Sequence, residues 1–275
     1  MTLSSQSDRA ARLRELHRPG DPLVLANVWD AATARLVAAA GAPAVATASA
    51  SVSWTLGVPD GDRLGRDLAL AQAALVVANV PGLPVTVDLE SGYADTPAGV
   101  GDTVTALLAT GAVGLNLEDA AGPGVRPLAD AADRVAAARA AAETAGIPLF
   151  LNARTDVFLR AVGPAEGRLD EALTRAKAFL AAGADGVFVP GVADPEVIAV
   201  LAREIPAPLN VLAGPGSPTV AALAALGVAR ISLGPALAKS AYAAVRDAAT
   251  EIYTTGTYDT LAGGLDYAEL NALFG

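Results

Sequence analysis

Eight short apolar runs recur along the chain at intervals of a few tens of residues, with longer Ala-, Leu- and Val-rich segments between them. Strands that alternate with helices pair in parallel, and near-continuous apolar strands indicate a sheet covered on both faces. Eight such units in one chain predict an α/β fold, a (β/α)8 TIM barrel. The runs span 23–28, 44–49, 84–90, 114–119, 148–155, 186–191, 208–214 and 229–234.

The segments between the runs have helical spacing, and most of them end in glycine, a common helix stop. Clear cases span 30–42, 95–112, 130–146 and 168–184. A length of 275 residues suits one barrel, so we expect a single domain over 1–275. Within it, 236–275 is predicted to be a C-terminal helical extension that packs on a neighbouring subunit.

A doubly wound open sheet is the alternative fold. Such sheets usually have fewer units and often a glycine-rich first turn, and neither a strict GxGxxG nor a Walker A pattern occurs in this chain. The barrel is therefore the prediction.

The composition excludes several kinds of partner and site. Acidic residues outnumber basic ones by 29 to 19 and no basic run occurs, which argues against a nucleic-acid partner. The absence of cysteine excludes disulfides, thiolate nucleophiles and zinc–cysteine sites. No apolar run of about 20 residues predicts a membrane span, and the charged N-terminal segment is unlike a signal peptide. We expect a cytoplasmic protein without membrane contact.

Histidine and lysine are too scarce for two further chemistries. The single histidine, His17, excludes a His-rich metal site, and its place before the first strand predicts a surface or capping residue. A Schiff-base aldolase needs a lysine at a strand end. Lys177 and Lys239 both fall in predicted helices.

Polar residues concentrate at the C-terminal ends of the first five predicted strands. Reactive groups of such barrels lie at these ends, so the residues are expected to face one rim. They are Asn27, Trp29, Asp30, Thr47, Ser49, Asp88, Glu90, Asn116, Glu118, Asp119, Asn152, Arg154 and Asp156.

Two carboxylates close the third run, PVTVDLE. In an extended strand Asp88 and Glu90 share a face, roughly 6 Å apart, and repel by roughly 3 kcal/mol at an effective dielectric near 20. Glu118 and Asp60 are expected at the same rim. Hard oxygen ligands select Mg²⁺, with Mn²⁺ as a substitute. An ion-pair network, in which Arg63, Arg126 and Arg154 balance the charges of these carboxylates, is the alternative to a metal site, and the sequence leaves both open.

Other rim residues suggest how an anion would bind. The Arg154 fork can grip a carboxylate or phosphonate, or simply balance Glu118. Hydroxyls in the Ser/Thr-rich stretch 47–55 can donate to an anionic substrate, and Trp29 is either an apolar wall or a cap of the barrel. The Gly/Pro turns 212–217 and 232–235 are candidates for a phosphate site.

With these residues in place, the chain resembles the isocitrate lyase/phosphoenolpyruvate mutase family over roughly residues 12–245. The resemblance implies a (β/α)8 barrel, Mg²⁺, a small dicarboxylate or 2-oxo or 2-hydroxy acid substrate, and a homo-oligomer, a dimer or tetramer with exchanged C-terminal helices. It rests on LH (16–17), LANVWDAATARL (25–36), LGVPDGD (56–62), VDLESGY (87–93), LNLED (115–119) and NARTD (152–156).

The resemblance also implies roles for individual residues. Asp88 matches the direct Mg²⁺ ligand, and Asp60, Glu90 and Glu118 match residues that hold metal-bound water, although Glu90 replaces a usual Asp. Arg154 matches the arginine that binds the substrate anion, and Arg154 and Glu118 are the predicted catalytic residues. The loop from Thr47 to Ser53 matches the carboxylate-binding loop. The predicted substrate-binding residues are Thr47, Ser49, Ser51, Trp29, Asn152 and Arg154.

The chain departs from the family after Glu118. Lyases of the family carry a gating loop with a Lys-x-Cys-Gly-His core, and the mutases place Lys and Asn there. This chain reads DAAGPGVRPL over 119–128, without Cys, Lys, His or Asn. It therefore resembles a divergent branch, and the missing thiol argues against isocitrate, methylisocitrate or dimethylmalate cleavage by the Cys mechanism.

The resulting prediction is a Mg²⁺-dependent lyase-type enzyme that cleaves or rearranges a C–C or P–C bond of a small 2-oxo or 2-hydroxy acid through a metal-stabilised enolate. The proton donor stays open among Glu118, water ordered by Arg126, Tyr93 and bulk water. Two alternatives stay open: a degenerate metal-dependent 2-oxo acid binder, and a hydrolase of phosphonopyruvate or oxaloacetate.

Overall fold

The structure, a computed structural model, describes residues 5–275, and eight parallel strands form its central sheet. The strands pair in the order β1-β10-β9-β8-β7-β4-β3-β2, and a parallel bridge between Val28 and Thr47 joins the two outermost strands. The prediction of a (β/α)8 barrel is confirmed. The strands are β1 Leu23–Leu25, β2 Val45–Ala46, β3 Val85–Asp88, β4 Gly114–Glu118, β7 Phe150–Arg154, β8 Gly186–Val189, β9 Leu209–Leu212 and β10 Arg230–Ser232, and an antiparallel hairpin adds β5 Ala120–Ala121 and β6 Gly124–Val125.

Helices surround the sheet and add a C-terminal extension. The extra C-terminal helices predicted from the sequence are confirmed as helices. The α-helices are α1 Gln6–Glu15, α2 Ala31–Ala39, α3 Ser49–Thr55, α4 Arg66–Asn79, α5 Pro97–Ala109, α6 Leu128–Thr144, α7 Arg168–Ala181, α8 Pro195–Glu204, α9 Val220–Ala225, α10 Ala236–Thr254 and α11 Tyr267–Ala272. None of those within residues 5–275 has the length and apolarity needed to cross a bilayer.

Local sequence sets where the helices begin. The Asp30 carboxylate accepts a hydrogen bond from the Thr33 N–H at 2.7 Å and forms a capping box at the start of α2. Thr96 caps α5, whose first residue is Pro97. Asp30, one of the polar residues after the first strand, therefore caps a helix.

The third strand is shorter than the sequence predicts. β3 ends at Asp88, and Glu90 has a φ of 49°, in the left-handed region. Leu89 is fully buried, and its carbonyl accepts from the Gly92 N–H at 2.8 Å, which turns the chain. The prediction that Asp88 and Glu90 share one face of an extended strand is therefore wrong.

The core has an outer and an inner part. Strand residues that face outward, such as Leu115 and Val187, pack against the helices. At the N-terminal end, Leu13 of α1 packs with Leu23 and Phe150. The middle of the barrel is instead lined with buried polar side chains, Asn116, Asn152, Asn210, Arg230 and Ser232.

His17 lies in this N-terminal end of the barrel and is 7% exposed. Its ring stacks on Phe150 with 3.8 Å between centroids, and Nδ1 lies 2.7 Å from the Leu13 carbonyl oxygen in the last turns of α1. Of the two positions open for His17, a surface residue or a capping residue, its burial and its contact with the Leu13 carbonyl agree with the second.

The C-terminal extension exposes many apolar side chains, including Val245, Tyr253, Tyr258 and Tyr267. The end of the chain lies against α2, where the Arg35 guanidinium is 5.1 Å from the Phe274 ring centroid. The single-domain assignment and the packing of 236–275 on a neighbouring subunit stay predictions.

Candidate active site

A cavity of about 220 Å³ lies at the C-terminal ends of the barrel strands. This is the end at which barrels of this type carry their reactive groups. Residues from all eight barrel units and the loops after them line the cavity: Asn27, Ala48, Ser49, Ala50, Asp60, Asp88, Asn116, Arg154, Leu159, Phe188, Pro190, Leu212, Ser232, Gly234 and Pro235.

Asp88 ends β3 at the wall of this cavity. Its N–H donates to Thr47 Oγ1 at 3.0 Å, and its Oδ2 accepts from the Ser49 N–H at 3.3 Å. Its Oδ1 is buried and has no hydrogen-bond partner. Because a buried carboxylate oxygen without a donor is unfavourable, this atom fits a position beside a cation.

Asp60 reaches the same cavity from the loop between α3 and α4. Burial of its carboxyl and the neighbouring Asp88 charge raise the pKa of Asp60, and a hydrogen bond with the Ser49 side chain opposes that rise. A carboxylate whose proton affinity is raised by a neighbouring carboxylate is typical of a site completed by a cation.

Glu90 does not line the cavity. It is 1% exposed, and Oε1 accepts from the Tyr93 hydroxyl at 2.8 Å while Oε2 accepts from the Asp62 N–H. Burial raises the pKa of Glu90 to about 7, and the charges of Asp88 and Asp60 add to the effect. Glu90 therefore lies behind the cavity wall, where it holds the Tyr93 hydroxyl and the backbone of Asp62.

Glu118 ends β4 and forms an ion pair with Arg154, with 2.8 Å between Oε2 and Nη1. Burial raises the pKa of Glu118, and the Arg154 charge opposes the rise. Arg154 also binds Asp156, through Nε at 2.6 Å and Nη2 at 3.1 Å, and Asp156 in turn binds Arg160. Part of the ion-pair network that the sequence allows is therefore present.

The four predicted metal residues do not form one cluster. Within residues 5–275, no three Asp, Glu, His or Cys side chains come close enough to hold an ion together. Asp88 and Asp60 line the cavity, Glu118 is paired with Arg154, and Glu90 is turned away. Magnesium keeps several waters and needs only one or two direct carboxylates, so Asp88 with Asp60 fits it. The ligand assignment stays a prediction.

Of the six predicted substrate-binding residues, two line the cavity and two others hold residues that line it. Ser49 and Arg154 line the cavity. Thr47 and Asn152 hold other residues, because Thr47 accepts from the Asp88 N–H and Asn152 donates to Asn116 Oδ1 at 2.9 Å.

The remaining two predicted residues lie in the interior and do not line the cavity. Ser51 is fully buried in α3, and its hydroxyl has no hydrogen-bond partner. Trp29 packs in an apolar cluster with Val52, Leu64 and Ala238. Of the two interpretations open for Trp29, an apolar substrate wall or a cap, the packing agrees with the second.

The cavity also has an apolar wall that the sequence does not predict. This wall lies opposite the strands that carry the acidic residues. It consists of Phe188 and Pro190 at the end of β8, Leu212 at the end of β9 and Leu159 in the loop after β7. The available signal was the period of two along strands, which places Phe188 and Leu212 on the inner face beside Arg154.

The segment after Glu118 is a short, tightly held hairpin. The Arg126 N–H donates to the Asp119 carbonyl at 2.7 Å, and Arg160 Nη1 donates to the Gly122 carbonyl at 2.6 Å. Arg175 Nη1 donates to the Asp119 carboxylate at 3.1 Å and to the Arg126 carbonyl at 3.0 Å. Asp119, predicted at the rim, thus fastens the hairpin to α7.

The turn after β10 is less suited to phosphate than the sequence suggests. The N–H groups of Leu233 and Gly234 both donate to Asn27 Oδ1, at 3.0 and 2.9 Å. In the turn after β9, the Gly214 N–H donates to Ser217 Oγ at 3.0 Å. These three donors are already used within the protein.

Known proteins share this architecture. The family model described as phosphoenolpyruvate phosphomutase matches residues 13–253. A phosphoenolpyruvate phosphomutase of Streptomyces hygroscopicus is 31% identical, with 88% of this chain and 80% of that protein covered. A crystal structure from Burkholderia cenocepacia J2315, provisionally assigned as a phosphonomutase, is 46% identical with a TM-score of 0.85, covering 88% of this chain and 99% of that chain. Oxaloacetate acetylhydrolase with its product oxalate is 26% identical with a TM-score of 0.86, covering 98% and 94%.

Proposed function

Because the chain belongs to the phosphoenolpyruvate phosphomutase family, of the isocitrate lyase/phosphoenolpyruvate mutase superfamily, we propose that it is a Mg²⁺-dependent lyase-type enzyme that breaks or rearranges a C–C or P–C bond in a small 2-oxo or 2-hydroxy acid. The relatives of this chain include mutases and lyases, so the protein is an enzyme of this kind. The reaction itself and the metal are the proposal.

The buried Asp88 Oδ1 without a hydrogen-bond partner carries the proposal. Asp88 would hold Mg²⁺, or Mn²⁺ in its place, and Asp60, which lines the same cavity, would bind a water of the ion. When bound, the cation would supply Lewis-acid stabilisation of negative charge on the oxygen atoms of the acid.

The chain's own residues would orient the substrate. The Ser49 hydroxyl lies at the cavity beside Asp60, at the start of α3. Arg154 has N–H donors beyond those that bind Glu118 and Asp156, and these would donate to an oxygen of the departing fragment. Glu118 would hold the Arg154 fork in place.

The central experiment is calorimetric titration with oxalate, a planar analogue of the pyruvate enolate, with and without Mg²⁺. We expect binding only with Mg²⁺. Asp88→Asn should weaken Mg²⁺ binding by about tenfold or more, because a charged ligand is lost. Asp185→Asn, which removes a carboxylate bound to Arg14 and Arg139 just before β8, is the matched control and should leave the titration unchanged. Equal Mg²⁺ affinity of Asp88→Asn and the native protein would contradict the assignment.

A degenerate 2-oxo acid binder is the second candidate, and the hairpin favours it. The turn from Ala120 to Val125 holds no acid or base side chain. A turnover screen with phosphonopyruvate, oxaloacetate and substituted malates separates the candidates. Release of pyruvate from a substituted malate supports the lyase. Release of pyruvate and phosphate from phosphonopyruvate, or of oxalate and acetate from oxaloacetate, indicates a hydrolase, and Mg²⁺-dependent binding without any product supports the binder.

A further inference from the structure

The Asn116 side chain forms part of the cavity wall, beside Asp88. Asn116 is 4% exposed, and it pairs with Asp88 in the parallel register of β3 and β4. Two buried donors reach its side-chain oxygen from inside the barrel. Arg230 Nη2 lies 3.1 Å from Asn116 Oδ1, and Asn152 Nδ2 lies 2.9 Å from the same atom. The oxygen of this amide is therefore fully used within the protein.

These two contacts fix which way the Asn116 amide faces. A guanidinium has hydrogen-bond donors and no acceptor, so the amide atom next to Arg230 must be the oxygen. The nitrogen then points the other way, and within residues 5–275 no acceptor takes its hydrogens. Since Asn116 lines the cavity, its Nδ2 presents N–H donors to a molecule that binds there.

Arg230 lies behind this amide as a buried positive charge. Arg230 is fully buried, its Nε lies 3.4 Å from Ser232 Oγ, and within the described chain no carboxylate forms an ion pair with it. Burial lowers the pKa of Arg230 to about 9, and the Asp88 charge opposes the fall, so Arg230 stays a cation at neutral pH. A donor that a nearby cation polarises at low dielectric binds a negatively charged oxygen more strongly than a neutral one.

Asp88 and Asn116 offer complementary groups to the same space. Asp88 Oδ1 is buried without a donor among the described residues, Asn116 Nδ2 has no acceptor there, and no hydrogen bond joins the two. A ligand that brings a cation to Asp88 and a charged oxygen to Asn116 satisfies both groups. A 2-oxo or 2-hydroxy acid that binds together with Mg²⁺ is such a ligand.

We propose that Asn116 is a substrate-binding residue whose Nδ2 donates to a negatively charged oxygen of the acid, and that Arg230 is a positioning residue that holds the amide in this orientation. The proposal rests on the proposed function, because it takes the acid to bind beside Asp88. It adds to Ser49 and Arg154 a third donor, on the strand next to Asp88.

Asn116→Asp tests the donor without removing the acceptor. The variant keeps an oxygen for Arg230 and Asn152, so it is expected to fold, and it replaces the Nδ2 donor with an acceptor oxygen. We expect calorimetry to show that oxalate binding with Mg²⁺ is weakened by about tenfold or more, while binding of Mg²⁺ alone is not weakened. Native oxalate affinity in Asn116→Asp would overturn the proposal.

Asn210→Asp is the matched control for the added charge. Asn210 lies beside Arg230 in the register of β9 and β10, its Oδ1 accepts from the Ser232 hydroxyl, and it does not line the cavity. This variant should bind oxalate with near-native affinity, because no donor at the cavity is lost. Equal weakening in Asn116→Asp and Asn210→Asp would show that the charge, and not the Asn116 donor, is responsible, and would count against the proposal.

Two substitutions of Arg230 test its positioning role. Arg230→Gln keeps an N–H for Asn116 Oδ1 without the charge, and Arg230→Lys keeps both. We expect oxalate affinity to fall by several-fold in Arg230→Gln and by less in Arg230→Lys, and urea unfolding checks that both variants fold. A loss of stability with native oxalate affinity in both variants would show that Arg230 acts only in the fold.

The native protein separates the two proposals. If it binds oxalate only with Mg²⁺ and Asn116→Asp binds oxalate equally well, the role of Asn116 is wrong and the proposed function stands. If the native protein does not bind oxalate with Mg²⁺, the proposed function fails and the role of Asn116 fails with it.

Discussion

The role of an individual side chain in this protein depends on which residues of the neighbouring strand lie beside it. Arg154 is the clearest case, because Asp156 is two residues away along the strand while Glu118 comes from the neighbouring strand β4. The strand-end position of Arg154 is visible in the sequence. Its contact with Glu118 follows from the parallel register of β4 and β7, in which Glu118 pairs with Arg154.

Arg154→Lys should weaken the binding of the acid substrate and destabilise the fold by about 1–2 kcal/mol, because one ammonium cannot bridge two buried carboxylates. Calorimetry with oxalate and Mg²⁺ and urea unfolding measure the two effects. Arg160→Lys, at the more exposed arginine that shares Asp156, is the control and should have a smaller effect on both. Unchanged oxalate affinity in Arg154→Lys would show that Arg154 acts only in the fold.

His17 should make the fold sensitive to acid. Burial, with the Arg230 charge adding, lowers the pKa of His17 from 6.5 to about 3. Below pH 6.5 the unfolded chain binds a proton at this residue and the folded chain does not, so stability falls as the pH falls from 6.5 toward 3. The loss amounts to about 2 kcal/mol at pH 5.

His17→Asn, which keeps an N–H for the Leu13 carbonyl and does not titrate, provides the comparison. Urea unfolding at pH 7.5 and pH 5 should show a steeper loss of stability in the native protein than in the variant. Parallel losses in the two proteins would show that His17 is not the group responsible.

At the scale of elements, the hairpin β5–β6 most distinguishes this chain from the lyases that it resembles. Its residues are small, and arginines of the loop after β7 and of α7 hold its backbone. The sequence shows that the segment is short and lacks Cys, Lys and His. It does not show that Arg160 and Arg175 fasten it, because these contacts join residues 38 and 49 positions apart.

Arg160→Gln should loosen this hairpin. Removal of the Arg160 contact with the Gly122 carbonyl is expected to raise amide hydrogen exchange of residues 120–125 by several-fold, with little change elsewhere in the barrel. Arg203→Gln is the control, because within residues 5–275 Arg203 pairs only with the exposed Glu204 at the end of α8, away from the hairpin and from the loop after β7. Identical exchange of 120–125 in the native protein and Arg160→Gln would mean that other contacts fix the hairpin.

At the scale of the whole molecule, helices cover the apolar side chains of the barrel, whereas the C-terminal extension leaves many of its apolar side chains exposed. Most of α10 and of the chain after it is exposed, and Val245 is 66% exposed. An apolar face of this extent on a helix is typical of a surface that another subunit covers. We propose a homo-oligomer in which the extension forms the contact.

Val245→Glu should shift the protein toward a smaller assembly, because a charge would be buried at the subunit contact. Analytical ultracentrifugation over a range of concentrations measures the shift. Leu68→Glu, at an exposed position on α4, is the control and should keep the native assembly state. A protein that sediments as a monomer at all concentrations would contradict the proposed oligomer.

The sequence by itself determined the eight strand–helix units and the strand ends that carry the polar residues, because both follow from the local spacing of apolar side chains. Only the tertiary structure decided which of those residues line the cavity. The left-handed turn at Glu90 moves its side chain away from the strand face that carries Asp88. Arg154 pairs with Glu118 of the neighbouring strand. Phe188 and Leu212 complete the cavity from strands far along the chain. Such pairings depend on which strands are neighbours, and no local pattern encodes that.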